Sequence, residues 1–147
     1  MPNPSPSTQA PHCSHQHFTL PATNQSVSEA RSTVRRHLRY WHVDSDLADQ
    51  ITLVVSELFT NAVIHSNSST IECVLNATGN RIRLEVANEG TECASLNDAA
   101  PAHASAEHGR GLMLVTASSN AWGLRNSSHR HSCAVWASWD RPQPHST

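Results

Sequence analysis

The sequence predicts an α/β two-layer sandwich in which a mixed, mostly antiparallel sheet carries its helices on one face. Three observations predict it. Two long segments in the first half repeat their apolar residues every three or four positions, as helices with one buried side do. Two later regions alternate apolar and polar residues around turn sequences, as half-buried hairpins do. A chain of 147 residues fills one core, so helices and strands must share it.

Residues 1–16 hold four of the eight prolines and hardly any apolar side chain, too little burial to offset the entropy of ordering. A tail is expected there, a folded domain over 17–140, and a second polar tail over 141–147. The run His12-Cys13-Ser14-His15-Gln16-His17 lacks the two separated ligand pairs of a structural zinc site. Phe18-Thr19-Leu20-Pro21 reads as a short edge strand stopped by proline.

The first helix is expected to open with Ser26 or Ser28 as N-cap, since Ser26-Val27-Ser28-Glu29 has the order of a capping box. Val27, Ala30, Val34, Leu38 and Trp41 form its apolar stripe, with Arg31, Arg35, Arg36 and Arg39 elsewhere. Asp44-Ser45-Asp46 then supplies cap candidates and negative charge at the start of a second helix of about twenty residues. A hairpin follows: Ile71, Cys73 and Leu75 alternate, Thr78-Gly79-Asn80 turns, and Ile82, Leu84 and Val86 alternate. From Asn88 to His108 the composition becomes that of a long loop, of a length compact domains keep when it works as a lid. Gly109-Arg110-Gly111 leads into a short third helix at Leu112-Met113-Leu114-Val115. Ala121–Leu124 and Cys133–Trp139 read as a second hairpin, with Trp122, Trp136 and Trp139 in the sheet core and His129-Arg130-His131 at its tip.

Composition removes several functions. All ten basic residues are arginine, which excludes the phosphate-gripping lysine of a Walker site and any Schiff base. A net charge of -2 with eleven histidines and a pI of about 6.6 offers no field that would make nucleic acid the default partner. Neither a membrane span nor a signal peptide is readable, so the expected location is the cytoplasm. Cys13, Cys73, Cys93 and Cys133 contain no C-x-x-C pair and are expected to be reduced thiols.

On the second helix Ile51, Val55, Leu58 and Ala62 mark the buried stripe, while Glu57, Asn61 and His65 follow at i, i+4 and i+8 along its border. A carboxylate and an amide one turn apart suit a magnesium–phosphate site, because the amide oxygen is a hard neutral ligand and the carboxylate accepts protons. The same spacing is also that of a solvated polar row. Two glycine-containing turns follow, Asn88-Glu89-Gly90 after a strand and Gly109-Arg110-Gly111 before a helix, and glycines at a helix start let backbone N–H groups approach a phosphate. The second lacks the third glycine and the preceding strand of a dinucleotide fingerprint.

The order Glu57-Leu58-Phe59-Thr60-Asn61-Ala62-Val63-Ile64-His65, then Val86-Ala87-Asn88-Glu89-Gly90, then His108-Gly109-Arg110-Gly111-Leu112 resembles the GHKL ATPase superfamily. Its members share the Bergerat ATP-binding fold. Within it the chain is most similar to the anti-sigma-factor serine kinase branch, especially short actinobacterial ATP-binding regulators, from about Phe18 to Trp139. The resemblance implies ATP and Mg²⁺ as cofactors, Glu57 as general base and Asn61 as metal ligand. It implies that Gly109, Arg110, Gly111 and the turn at Leu112 hold the phosphates under a lid formed by residues 91–108. It implies transfer of the γ-phosphate to a serine of a STAS-type antagonist, with a sigma factor as the other partner, no direct contact with nucleic acid or membrane, and compatibility with a homodimer.

One departure stands out. The position of Asn88, two before Gly90, is normally an aspartate that accepts a hydrogen bond from the adenine amino group. An asparagine carbonyl accepts the same bond without charge assistance. Weaker ATP binding is expected, and the alternative reading is a catalytically weak or inactive module that acts by sequestering proteins.

Overall fold

The computed structural model describes residues 13–65, 69–89, 115, 117–127 and 132–141. They form β1 (Ser14–Pro21), α1 (Asn24–Tyr40), α2 (Ser45–His65), β2 (Thr70–Ala77), β3 (Arg81–Glu89), β4 (Ala121–Ser127) and β5 (Ser132–Asp140). The five strands lie in one sheet in the order β1-β2-β3-β5-β4, and every described pair is antiparallel. Helices α1 and α2 cover one face, as expected of the sandwich.

The core is the layer between them. Ile71, Cys73, Leu75, Ile82, Leu84, Val86, Val135, Ala137 and Trp139 point inward from the sheet and meet Ala30, Val34, Leu38, Ile51, Val54, Val55, Leu58 and Phe59 from the helices. The period of two in the strands and of 3.6 in the helices is what lets these residues converge. Phe18 of β1 stacks on Phe59 of α2 with ring centroids 6.4 Å apart. By length and composition Ser45–Ile64 of α2 would suffice to cross a bilayer, yet 56% of that window is buried inside the fold, so it serves as the core helix.

Several boundaries differ from expectation for local reasons. Strand β1 begins at Ser14, inside the stretch expected to be tail, because β2 offers it a full ladder from Ser14↔Ala77 to Pro21↔Thr70. Helix α1 begins at Asn24 after the extended Thr23, two residues before the nearer cap candidate. Ser26 is therefore inside the helix and buried, with its hydroxyl 3.2 Å from that of Thr23. Asp44 does cap α2: its carboxylate accepts from the N–H groups of Asp46 and Leu47 at 3.1 and 3.3 Å.

The end of α1 is a Schellman turn built without glycine. His42 adopts φ 59, its N–H donates to Arg39 O, and the N–H of Val43 donates to Leu38 O at 2.9 Å. Val43 and Leu38 are both buried, which gives the motif its usual apolar contact.

Two expectations about β5 are corrected. Trp136 and Trp139 are three apart in a strand, so they face opposite sides. Trp139 is core, whereas Trp136 lies on the uncovered face under the Arg83 guanidinium, 4.7 Å from the ring centroid. Cys133 takes part in a disulfide, against the expectation of four reduced thiols, while Cys13 and Cys73 are free. Of the third helix, residues 115, 117 and 118 are described as helical, and Val115 is buried in the core. The tip at 129–131 lies outside the described residues.

Candidate functional site

Helix α2 carries two kinds of polar residue. Its outward row, Leu53, Glu57, Thr60 and Ile64, is half-buried or exposed, as spacings of four and three require. Beside it run Thr52, Ser56 and Asn61, all buried. Thr52 and Thr60 satisfy their hydroxyls within the helix, donating to Ala48 O at 2.7 Å and Ser56 O at 2.8 Å. Ser56 does not: its Oγ is buried with no hydrogen-bond partner. An unpaired buried hydroxyl costs free energy, so it is a donor in want of an acceptor.

Glu57 and Asn61 stand one turn apart at this border, the carboxylate half-buried and the amide 8% exposed. Asn88 is 7% exposed on the penultimate residue of β3. It shares the inward face with Ile82, Leu84 and Val86, opposite Ile71 of β2 and Cys133 of β5. Asn61 and Asn88 both have interaction partners.

Topology sets these residues at one end of the molecule. Helix α2 ends at His65 and β2 begins at Thr70, and the next residue, Ile71, is the register partner of Asn88. The end of α2, the start of β2 and the end of β3 therefore share one edge of the sandwich. The connection that leaves β3 there rejoins the core at the buried Val115. Gly109, Arg110, Gly111 and Leu112, expected to hold phosphates, and Gly90, expected beside the adenine-binding position, lie outside the described residues, as does the side chain of His65.

Sequence reasoning passed over Ser56 as a site residue. Its signal was the helical row Thr52, Ser56, Thr60 next to Glu57, but the absence of a partner is visible only in three dimensions. Among the described residues no group of three His, Cys, Asp or Glu side chains is placed to hold a metal. A hard cation at this edge would depend on single oxygen donors and on the phosphates it arrives with. Asn61, Glu57 and Ser56 supply an amide, a carboxylate and a hydroxyl within two turns of one helix, a donor set that fits Mg²⁺ bound to phosphate.

Comparison with known proteins agrees with this architecture. The family profile of the histidine kinase-like ATPase domain matches residues 20–139. No curated protein sequence matches the chain. Among solved structures, the RsbU and RsbW domains of Rv1364c from Mycobacterium tuberculosis are similar with a TM-score of 0.65 and 18% identity, over 91% of this chain and 34% of that one. The SiaB-SiaC complex from Pseudomonas aeruginosa contains a chain similar with a TM-score of 0.59 and 15% identity, over 90% of this chain and 94% of that one. At such identities the likeness is one of fold.

Proposed function

Since the chain belongs to the histidine kinase-like ATPase domain family, we propose that it is an ATP-binding regulator that transfers the γ-phosphoryl group to a serine of a STAS-type antagonist and holds a sigma factor on the same surface. The observation that carries this reading is the pair of buried amides, Asn61 and Asn88, at the edge where α2, β2 and β3 meet. One of the similar folds is a component of a two-protein complex, SiaB-SiaC, which supports a protein as partner.

In this reading Asn88 accepts the adenine amino hydrogen with its side-chain oxygen. Asn61 holds Mg²⁺ together with the phosphates. When bound, Mg²⁺ would neutralise phosphate charge. Ser56 donates its unused hydroxyl hydrogen toward the same phosphates. Glu57, half-buried on the outward row, accepts the proton of the acceptor serine as that oxygen bonds to the γ-phosphorus. The bond to the β–γ bridging oxygen breaks, and ADP leaves with it. Arg110, Gly109, Gly111 and Leu112 would complete the phosphate grip, and Gly90 would border the adenine position, in the manner the family resemblance implies.

A second reading has support in Asn88 itself. A neutral amide replaces the carboxylate normal at this position and forfeits charge assistance. A loss of about 1–2 kcal/mol lowers ATP affinity roughly 5- to 30-fold. The chain would then act by binding proteins, with little or no phosphoryl transfer.

Calorimetric titration of Mg·ATP, beside labelling of a STAS-type antagonist with γ-labelled ATP, tests both. Binding is expected in the parent, tighter binding in Asn88→Asp and near abolition in Asn61→Ala. Labelling of serine is expected to disappear in Glu57→Gln while ATP binding persists. Binding without labelling leaves the sequestering reading. No heat and no thermal protection at several millimolar nucleotide would end the nucleotide reading altogether.

A further inference from the structure

Strand β1 gives the histidines before Phe18 a geometry that their spacing alone does not. An extended chain turns every second side chain to the same side. The exposure of β1 alternates without a break: Phe18 and Leu20 pack against the core, while His15, His17 and Thr19 turn the other way. His15 and His17 therefore stand side by side on the uncovered face, about 6.8 Å apart along the strand. Cys13, exposed and free, precedes His15 by the same interval. Strand β1 is the edge of the sheet, and its neighbour β2 adds Glu72 on that face.

Their contacts are those of ligands. His17 Nε2 and Glu72 Oε2 are 3.0 Å apart. Two donors about 2.1 Å from one ion, at angles of about 90–110°, lie about 3.0–3.4 Å apart, so this pair already has the bite of two ligands on a single metal. His15 Nδ1 lies 2.6 Å from Asn76 Oδ1. An amide oxygen only accepts, so Nδ1 carries the hydrogen and Nε2 of the neutral ring presents its lone pair. A hydrogen-bonded second nitrogen is the usual support of a metal-binding histidine. His15, His17 and Glu72 line one open cavity of about 340 Å³, shared with Glu85 and Arg125. The Arg125 guanidinium is held by Glu85, which leaves the Glu72 carboxylate to meet a cation. As the side chains stand, no three donors among the described residues converge on one point; loading an ion requires only that exposed side chains turn.

We infer that the outer face of β1 binds a divalent cation of the zinc class, with His15 and His17 as nitrogen ligands, Glu72 as oxygen ligand, and Cys13 or water in the remaining position. Imidazole donors select Zn²⁺, Cu²⁺ or Ni²⁺, whereas Mg²⁺ and Ca²⁺ take oxygen alone and Cu⁺ prefers sulfur. The ion bridges β1 and β2. Ser14, His15 and Gln16 carry no apolar pattern and are strand only through the ladder to β2, so the cation fastens the half of β1 that burial does not. The site lies on the opposite side of the sheet from Asn88 and α2, and it stands whether or not nucleotide is bound.

The test is calorimetric titration of Zn²⁺ into the full chain, untagged and stripped of metal, with hydrogen exchange of the β1 amides as a second readout. Saturable binding at micromolar Zn²⁺ is expected, with at least a tenfold loss in His15→Gln/His17→Gln and a loss of about threefold or more in Glu72→Gln. Zn²⁺ should slow exchange at Ser14–His17 in the parent and not in the double variant. Both histidine rings are exposed, so the metal-free double variant should melt at the parent temperature, and its lost binding then reads ligand removal rather than unfolding. His129→Gln/His131→Gln removes the chain's other His-x-His pair and should leave the affinity within about twofold. No saturable uptake below about 100 µM Zn²⁺, undiminished binding in the His15/His17 variant, or a loss confined to the His129/His131 variant overturns the inference. Equal slowing of β1 exchange by Zn²⁺ in the parent and the double variant also overturns it.

Discussion

The guanidinium of Arg141 donates to the main-chain oxygen of Trp41 at 3.3 Å, across 100 residues of sequence. Trp41 is the C-cap of α1, where carbonyls have no partner within the helix. Arg141 supplies a donor whose charge suits the negative end of the dipole. The same guanidinium reaches Thr78 O at 3.1 Å, and the Arg141 N–H donates to Asn80 O at 2.9 Å. The first residue past β5 thus clips together the β2–β3 turn and the end of α1.

Replacing Arg141 by alanine keeps the main-chain bond and removes the two made by the side chain. A cost of about 1–2 kcal/mol follows from their charge-assisted character, tempered by solvent at the more exposed one. At roughly 2–4 °C per kcal/mol for a chain of this size, the thermal midpoint should fall by several degrees. Arg141→Lys keeps the charge but loses the fork and is expected to recover only part of it. An unchanged midpoint in the alanine variant would show that water serves these carbonyls equally well.

His42 offers a change in the opposite direction. Its φ of 59 places a residue with a Cβ in the left-handed region, at about 1–2 kcal/mol. Glycine there removes that cost and adds less than about 1 kcal/mol of unfolded-state entropy. His42→Gly is therefore expected to raise stability by about 0.5–1 kcal/mol, and His42→Val to lower it, because a β-branched residue is the least suited to this conformation. Urea denaturation midpoints at constant slope would measure both, and glycine and valine falling on the same side of the parent would remove this account of the turn.

These features differ in how readily they could be read in advance. The β2–β3 hairpin was legible because Ile71, Cys73, Leu75 and Ile82, Leu84, Val86 alternate strictly, and α2 because Ile51, Val55, Leu58 and Ala62 repeat every three or four residues. The first residues of β1 were not, since Ser14, His15 and Gln16 carry no apolar pattern and become strand through the ladder β2 provides. The start of α1 was obscured for a similar reason: Asn24 and Gln25 lie ahead of the periodic residues, and two serines invited a later cap. At the candidate site, the Glu57/Asn61 spacing is a local property of one helix. The position of Asn88 beside Cys133 depends on the non-local pairing of β3 with β5, which no periodicity announces.

Titration should bound stability on both sides of neutral pH. Burial pushes the Cys73 thiol well above its ordinary value of 9.0, so the folded state keeps a proton that the unfolded chain releases. Stability is complete below about pH 9 and is lost as pH rises further, by up to about 1.4 kcal/mol per pH unit for one group. The chain has no lysine, so no ammonium side chain adds to this alkaline limb. His37 acts oppositely: burial first and Arg36 second hold it below 6.5, so its contribution is present above that pH and is lost as pH falls through the lowered value. Thermal melts from pH 5 to 10.5 (about the usable range) should flatten on the alkaline side in Cys73→Ala and on the acid side in His37→Gln. An alkaline limb unchanged by Cys73→Ala would assign the loss to another group.

The uncovered face of the sheet yields the sharpest steric prediction. Gly123 of β4 is the register partner of Trp136 in β5, and a Cβ built on Gly123 would meet the indole at 2.8 Å from Nε1 and 2.9 Å from Cε2 and Cζ2. On the ring's other flank lies Arg83, 4.7 Å from the centroid, itself paired with Glu85, which also pairs with Arg125. The indole can retreat from a new methyl only by giving up that cation–π contact, worth about 0.5–1 kcal/mol at an exposed site. Gly123→Ala is therefore expected to destabilise the fold by about 1–3 kcal/mol, although alanine in a strand would otherwise be favoured through the unfolded state. Trp136→Leu removes both the clash and the stacking partner. In that background Gly123→Ala should cost nothing or stabilise slightly, a coupling of at least about 1 kcal/mol in a double-mutant cycle. Arg83→Ala, which frees the ring to shift, should reduce the cost by an intermediate amount. Additive effects of Gly123→Ala and Trp136→Leu would mean that the indole does not lie over Gly123 in solution, and the description of this face would then be wrong.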